Sequence, residues 1–361
     1  AQVPEGPLLR FFYQADPVAE NASEDQQQVL LDQWERLPEY TIRAFEYMNE
    51  HFGQYPYDEY VVAQGGDGGM EYIMGTLITG NRDFQGLVGV TVHELVHAWY
   101  QGVLANNESY YHWMDEGFTV YASWRVMKEL FGEELDDSIA RDYDNYYRIV
   151  KAGLEEPMQR HADHFQRNIA YSIASYSKGA IFLHQLGYII GREALARGMR
   201  RFYEEWAFRH PTGRDFIRTV EREAGIQLYW YYEYWVNSVR TIDYGIDSVR
   251  VENEKTVVHL RRHDEMPMPI DIEVERKDGS VQHHHIPLQM MWGHKENEFP
   301  TTPRRVEPAW PWVDPEYKLE LEIPIDEIAR IEIDPTRRMA DVRRDNQRWE
   351  PVEPGVESAV K

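Results

Sequence analysis

Two patterns of apolar spacing divide this chain. Up to about residue 241 apolar positions recur at helical intervals, and beyond it they alternate with polar ones in short runs. A first helix is predicted over 24–52, bent or interrupted at Pro38, with Ile42, Phe45, Met48 and Phe52 on one face and Gly53 as its stop. Glu59 to Gln64 reads as a short strand that runs into a glycine-rich segment. Leu87, Val88, Val90, Val92, Leu95, Val96, Ala98 and Trp99 make the next stretch apolar nearly all round, the mark of a buried helix. A polar turn at Asn106-Asn107-Glu108-Ser109 separates it from a second buried helix through Phe118, Val120, Tyr121, Trp124 and Val126. Ser175 is placed to cap a helix over about 176–190 that Gly191 ends. Helices follow at about 192–209 and 213–224, then an aromatic-rich segment from Leu228 to Val239.

After Gly245 come runs at 248–251, 256–262, 270–275, 280–286, 317–323 and 328–334, with Asp278-Gly279 as a hairpin turn between two of them. Six or seven short strands of this kind fit a small all-β sandwich. The fold class is therefore α+β, with predicted boundaries at 1–241 for the helical part, 242–349 for the sandwich and 350–361 for a Pro- and Glu-rich tail. Within the first part the two buried helices span about 87–130, and a helical lobe takes 131–241.

The buried helix at 87–99 contains polar residues that burial makes expensive. His93 and His97 stand four apart, one turn along the same face, with Glu94 beside them, and Glu116 follows His97 after eighteen intervening residues. Two helices joined by a short connection pack antiparallel, so Glu116 can face the two histidines. Read as H-E-x-x-H-(x18)-E, the set supplies three zinc ligands, His93, His97 and Glu116, and leaves the fourth tetrahedral position open, as in catalytic sites. Glu94 is then placed as general base, taking a proton from a water activated by the ion. One Zn²⁺ per chain is expected.

Two further segments extend this into a family resemblance. Gly68-Gly69-Met70-Glu71-Tyr72 resembles the G-x-M-E-N exopeptidase motif of the M1 zinc aminopeptidases, with Tyr72 in place of the usual asparagine. Tyr176-Ser177-Lys178-Gly179-Ala180, sixty residues beyond Glu116, resembles the tyrosine segment of the same family. Three motifs in the right order cover roughly residues 55 to 240. The resemblance implies a thermolysin-like zinc metallopeptidase domain followed by a β-sandwich, and removal of N-terminal residues from peptides. It gives Tyr176 the role of oxyanion donor. Gly68, Gly69, Met70 and Glu71 become substrate-binding residues, with Glu71 facing the free α-ammonium and Met70 lining the pocket for the first side chain. It also implies a β-domain ahead of the catalytic part. The residues before the first helix leave no room for one, so that domain is expected as a partner absent from this chain.

Composition narrows the partners. The net charge of −24, from 38 basic and 62 acidic residues, argues against nucleic acid or an anionic membrane. No apolar run reaches the ~18–20 residues of a membrane span. The absence of cysteine excludes disulfides and thiolate zinc sites. A periplasmic or secreted location is expected over a cytoplasmic one, and peptides with a free N-terminus are the expected partners. His161 and His164 read as a polar loop near the cleft mouth. His283-His284-His285 read as strand surface, where neighbours point to opposite faces and cannot share one ion. A zinc endopeptidase of the same fold, or a non-catalytic peptide-binding scaffold, stays open on these residues alone.

Overall fold

The computed structural model describes residues 1–14, 23–66, 68–132 and 138–351. The expected C-terminal tail falls almost wholly outside them. By contacts the chain divides into two compact units, one of residues 1–183 with 196–220 and one of 184–195 with 221–361.

The first unit opens with β1 (Leu8–Phe12), α1 (Glu24–His51), β2 (Glu59–Gln64), β3 (Gly69–Tyr72) and β4 (Gly75–Ile78). The four strands form one sheet in the order β1-β2-β4-β3. β1, β2 and β4 run parallel, and β3 closes as an antiparallel hairpin on β4. β3 is thus an edge strand, with one side of its backbone unpaired in the sheet. α1 runs unbroken through Pro38.

α2 (Phe84–His97) starts where the Asp83 carboxylate accepts from Gly86 N at 2.7 Å, an N-cap bond. Leu87, Val88, Val92, Leu95 and Val96 are buried as expected, Val90 is only half-buried, and the polar Glu94 and His97 are buried with the apolar residues. The helix does not stop at His97. It continues as a π-helical segment, Ala98–Val103, which carries Trp99 into a cluster with Phe45, Tyr55 and Tyr60, where the indole donates to Gly53 O at 2.7 Å. α3 (Glu108–Phe131) then packs against α2.

Next come α4 (Ser138–Lys151), α5 (Asn168–Ser172), a π-helical turn at Ile173–Ser177, α6 (Lys178–Ile190), α7 (Arg192–Trp206), α8 (Gly213–Ala224) and α9 (Tyr229–Trp235). Ser175 is not the N-cap predicted from the sequence. The chain is already helical from Asn168, and the Ser175 hydroxyl is used sideways, toward another helix. α3 and α6 cross with no side chain between them at Gly117 and Gly179. A β-carbon on Gly117 would lie 2.5 Å from Gly179 Cα, and one on Gly179 would lie 2.8 Å from Gly117 Cα. Only glycine at both positions permits this approach.

The second unit holds α9 and the remaining strands. β5 (Tyr244–Glu252), β6 (Lys255–Arg262) and β10 (Glu316–Leu321) form one sheet in the order β10-β6-β5. β7 (Ile270–Arg276), β8 (Val281–Ile286), β9 (Arg304–Val306), β11 (Ile328–Ile333) and β12 (Arg348–Trp349) form the other, in the order β12-β11-β7-β8-β9. Val258, Leu260, Ile272, Val274, Ile331 and Ile333 are buried, as the alternating runs predict. One reading of this unit is corrected. His284 and His285 are buried rather than on the strand surface, because each face of β8 offers a carboxylate. His283 pairs with Glu273, His284 with Glu307 and His285 with Asp271. Among the described residues no helix is long and apolar enough to cross a membrane.

Candidate active site

Three atoms from α2 and α3 converge on one point. His93 Nε2 and His97 Nε2 lie 3.3 Å apart, and Glu116 Oε2 lies 3.4 Å from the first and 3.3 Å from the second. A tetrahedral ion with bonds of about 2.0–2.1 Å sets its ligands about 3.3–3.4 Å apart, so the three atoms already have the spacing zinc requires. Glu116 Oε2 is buried and accepts no hydrogen bond among the described residues. A buried carboxylate oxygen without a donor is costly, and an ion at this point satisfies it. The donor set of two imidazoles and a carboxylate fits zinc.

The ligand atoms are held from behind. His97 Nδ1 donates to Asp115 Oδ1 at 2.7 Å, which keeps the lone pair on Nε2 and aims it at the centre. Thr119 Oγ1 lies 3.4 Å from the same nitrogen. Burial disfavours charge on both His97 and Asp115, yet the carboxylates of Asp115 and Glu116 raise His97 well above its ordinary value. The other oxygen of Glu116, Oε1, accepts from the Tyr176 hydroxyl at 2.5 Å. Burial and the Glu116 charge push the phenol above its usual range, so it remains a donor. For Glu116 itself, burial opposes the charge, but the two histidines outweigh it and hold the carboxyl well below the usual range.

Two more carboxylates complete the centre. Oxygens of Glu71 lie within 4.8 Å of ligand atoms of Glu94 and His97, and of Asp115 and Glu116. Burial raises the Glu94 carboxyl, with Glu71 and Glu116 adding to the rise and the two histidines opposing it. Gly69 explains how Glu94 fits. A β-carbon there would stand 2.2 Å from Glu94 Oε1 and 2.9 Å from Val90 Cγ2, so the carboxylate lies directly on the glycine.

The Peptidase family M1 domain matches residues 38–235, more than half of the chain. The chain belongs to peptidase family M1. It is 26% identical over 163 residues to aminopeptidase B of Rattus norvegicus, covering 42% of this chain and 24% of that one. It is 30% identical over 163 residues to leucine aminopeptidase 2-1 of Meyerozyma guilliermondii, covering 42% and 26%. The M1 chain thus spans about a quarter of the length of these curated relatives. Among solved structures it resembles aminopeptidase A of Legionella pneumophila, determined in complex with aspartic acid. The TM-score is 0.59 at 13% identity, over 84% of this chain and 34% of that one, a likeness of fold.

Of the residues singled out from this M1 sequence, the structure brings His93, His97, Glu116, Glu94, Tyr176, Glu71 and Gly69 together. It does not bring Met70 into the cluster. Strand alternation puts Gly69 and Glu71 on the face toward α2, while Met70 points to the other face and is 46% exposed. The Gly68 carbonyl is occupied within the chain, accepting from Thr79 N at 3.1 Å, Thr79 Oγ1 at 3.2 Å and Arg82 Nη2 at 3.3 Å. Two participants escaped the sequence reading. Asp115 could have been found from its place directly before Glu116, since a ligand histidine commonly gives its other N–H to a carboxylate. His112, one turn before Glu116, carried no signal of its role.

Proposed function

We propose that this M1 chain carries the catalytic machinery of a zinc-dependent aminopeptidase that removes N-terminal residues from peptides. One observation carries the reading: the 3.3–3.4 Å convergence of His93, His97 and Glu116, with the carboxylates of Glu94 and Glu71 at its side. Zinc held by those three residues would supply Lewis acidity, polarising a substrate carbonyl and lowering the pKa of a water it holds to about 7.

The chain's own groups do the rest. Glu94, its carboxyl raised by burial, accepts a proton from the attacking water and returns it to the leaving amine. Tyr176 turns its hydroxyl from Glu116 to the oxyanion that develops on the substrate, where a fixed donor counts most. Glu71 faces the α-ammonium of the substrate, so peptides with a blocked N-terminus are rejected. The unpaired edge of β3 lets an extended peptide add as a further strand. Family resemblance further suggests a β-domain partner. Phe12, Leu77 and Met70 support it, since they share one register row across the sheet and are all exposed.

Rates on free-amine aminoacyl reporters, compared with N-acetylated peptides and repeated with a chelator, test the proposal. Turnover confined to free amines and abolished by the chelator is expected. Equal turnover of N-acetylated peptides would make the site an endopeptidase, and zinc binding without turnover would make it a scaffold.

A further inference from the structure

Tyr176 sits in the π-helical turn Ile173–Ser177, between α5 and α6. Such turns are rare and frequently mark functional sites. Both sequence neighbours of Tyr176 are serines, and both hydroxyls are tied to other helices. On one side Ser175, wholly buried, has Oγ 2.7 Å from Nδ1 of His112 on α3. Burial pushes His112 down to about 4, so its ring is neutral and carries one N–H. His112 Nε2 faces the Arg160 carbonyl at 3.0 Å, which can only accept, so that nitrogen holds the proton. Nδ1 is then an acceptor, and the Ser175 hydroxyl donates to it rather than to the Tyr171 carbonyl 2.8 Å away. On the other side, Ser177 Oγ donates to Oδ1 of Asp142 on α4 at 2.8 Å and accepts from Asn145 Nδ2 at 3.3 Å.

We propose that the Ser175–His112 and Ser177–Asp142 pairs form a two-sided latch that holds the π turn in register and so aims the Tyr176 hydroxyl at the metal centre. The inference rests on the role given to Tyr176 above. None of the four is a catalytic residue; each is a positioning residue that acts through the tyrosine.

A double-mutant cycle tests this. In the zinc-loaded chain, Ser175→Ala and Ser177→Ala are each expected to lower kcat about 10-fold, with KM changed less than about twofold. In a Tyr176→Phe background the same substitutions should lower kcat no further. Asp142→Asn keeps an acceptor for Ser177 and should stay within about twofold of wild type, whereas Asp142→Leu should match Ser177→Ala. On the metal-free chain, the tyrosine ¹³Cζ resonance that disappears in Tyr176→Phe should shift or broaden in both serine variants while far-ultraviolet circular dichroism stays unchanged. Equal losses in the wild-type and Tyr176→Phe backgrounds, or an unmoved resonance, would overturn the latch. If Tyr176→Phe alone leaves kcat unchanged, the tyrosine's assigned role fails first and the latch falls with it.

Discussion

Gly117 on α3 and Gly179 on α6 touch backbone to backbone. A β-carbon on Gly117 would stand 2.5 Å from Gly179 Cα, where no side-chain atom can be accommodated. This crossing sets the site, because Glu116 is the residue before one glycine and Tyr176 lies three before the other. Gly179→Ala should separate the helices and lengthen the 2.5 Å bond from Tyr176 to Glu116. The expected cost is about 1–3 kcal/mol of stability, as for other overpacked cores, together with a fall in kcat larger than that on KM. Denaturant unfolding read beside steady-state kinetics checks it, and wild-type values on both counts would show that the crossing is not as close as described.

Glu94→Gln should keep the three ligand atoms and lose turnover, because an amide cannot take a proton from water. A loss of about 10²–10⁴-fold in kcat is expected of a general base. Zinc content, measured on the same sample, should remain near one per chain. More than a few per cent residual kcat would remove Glu94 from the role.

Much of this arrangement was legible in the sequence, for a physical reason. The i, i+4 histidines, the buried apolar frame of α2 and the short connection to α3 each constrain the chain locally, and together they place Glu116. The strand pattern after Gly245 was legible in the same way, since alternation is a local property. What stayed hidden depends on contacts between distant segments. The burial of His284 and His285 depends on Glu307 and Asp271, which no local pattern links to them. Ser175 carries a good capping residue's chemistry, but the helix before it leaves no terminus to cap. Met70 follows strand alternation onto the face away from Glu71 and is exposed there.

Asp115→Ala should weaken zinc binding without removing it. The carboxylate holds the His97 proton on Nδ1 at 2.7 Å, and losing such support to a ligand histidine typically costs 10–100-fold in metal affinity. Asp115→Asn, which still offers an oxygen to Nδ1, should bind zinc within about threefold of wild type on the same logic. Competition with a chromophoric chelator gives both affinities. An unchanged dissociation constant for the alanine variant would mean that packing alone orients the ring.

Glu71→Ala should raise KM for free-amine reporters and narrow their advantage over N-blocked peptides. Truncating one partner of a desolvated charge pair costs about 2–5 kcal/mol, which sets the scale of the shift. If the variant still prefers free amines as strongly as wild type, another group reads the N-terminus.

Asp142 gives a prediction in pH. Burial raises its carboxyl from 3.8 to about 6, against the Ser177 hydrogen bond and the charge of Arg141, so ionising it in the folded chain is unfavourable. Its folded value lies above its unfolded one. The stability linked to it is therefore fully present below about pH 4 and is lost as pH rises through 6. Two pKa units correspond to about 3 kcal/mol. Asp142→Asn, which cannot ionise and still accepts from Ser177, should unfold at the same denaturant concentration as wild type near pH 3.5. At pH 8 it should be the more stable of the two by up to about 3 kcal/mol. A gap that is already open at pH 3.5, or that never opens, would show that the Asp142 charge is solvated in the folded chain.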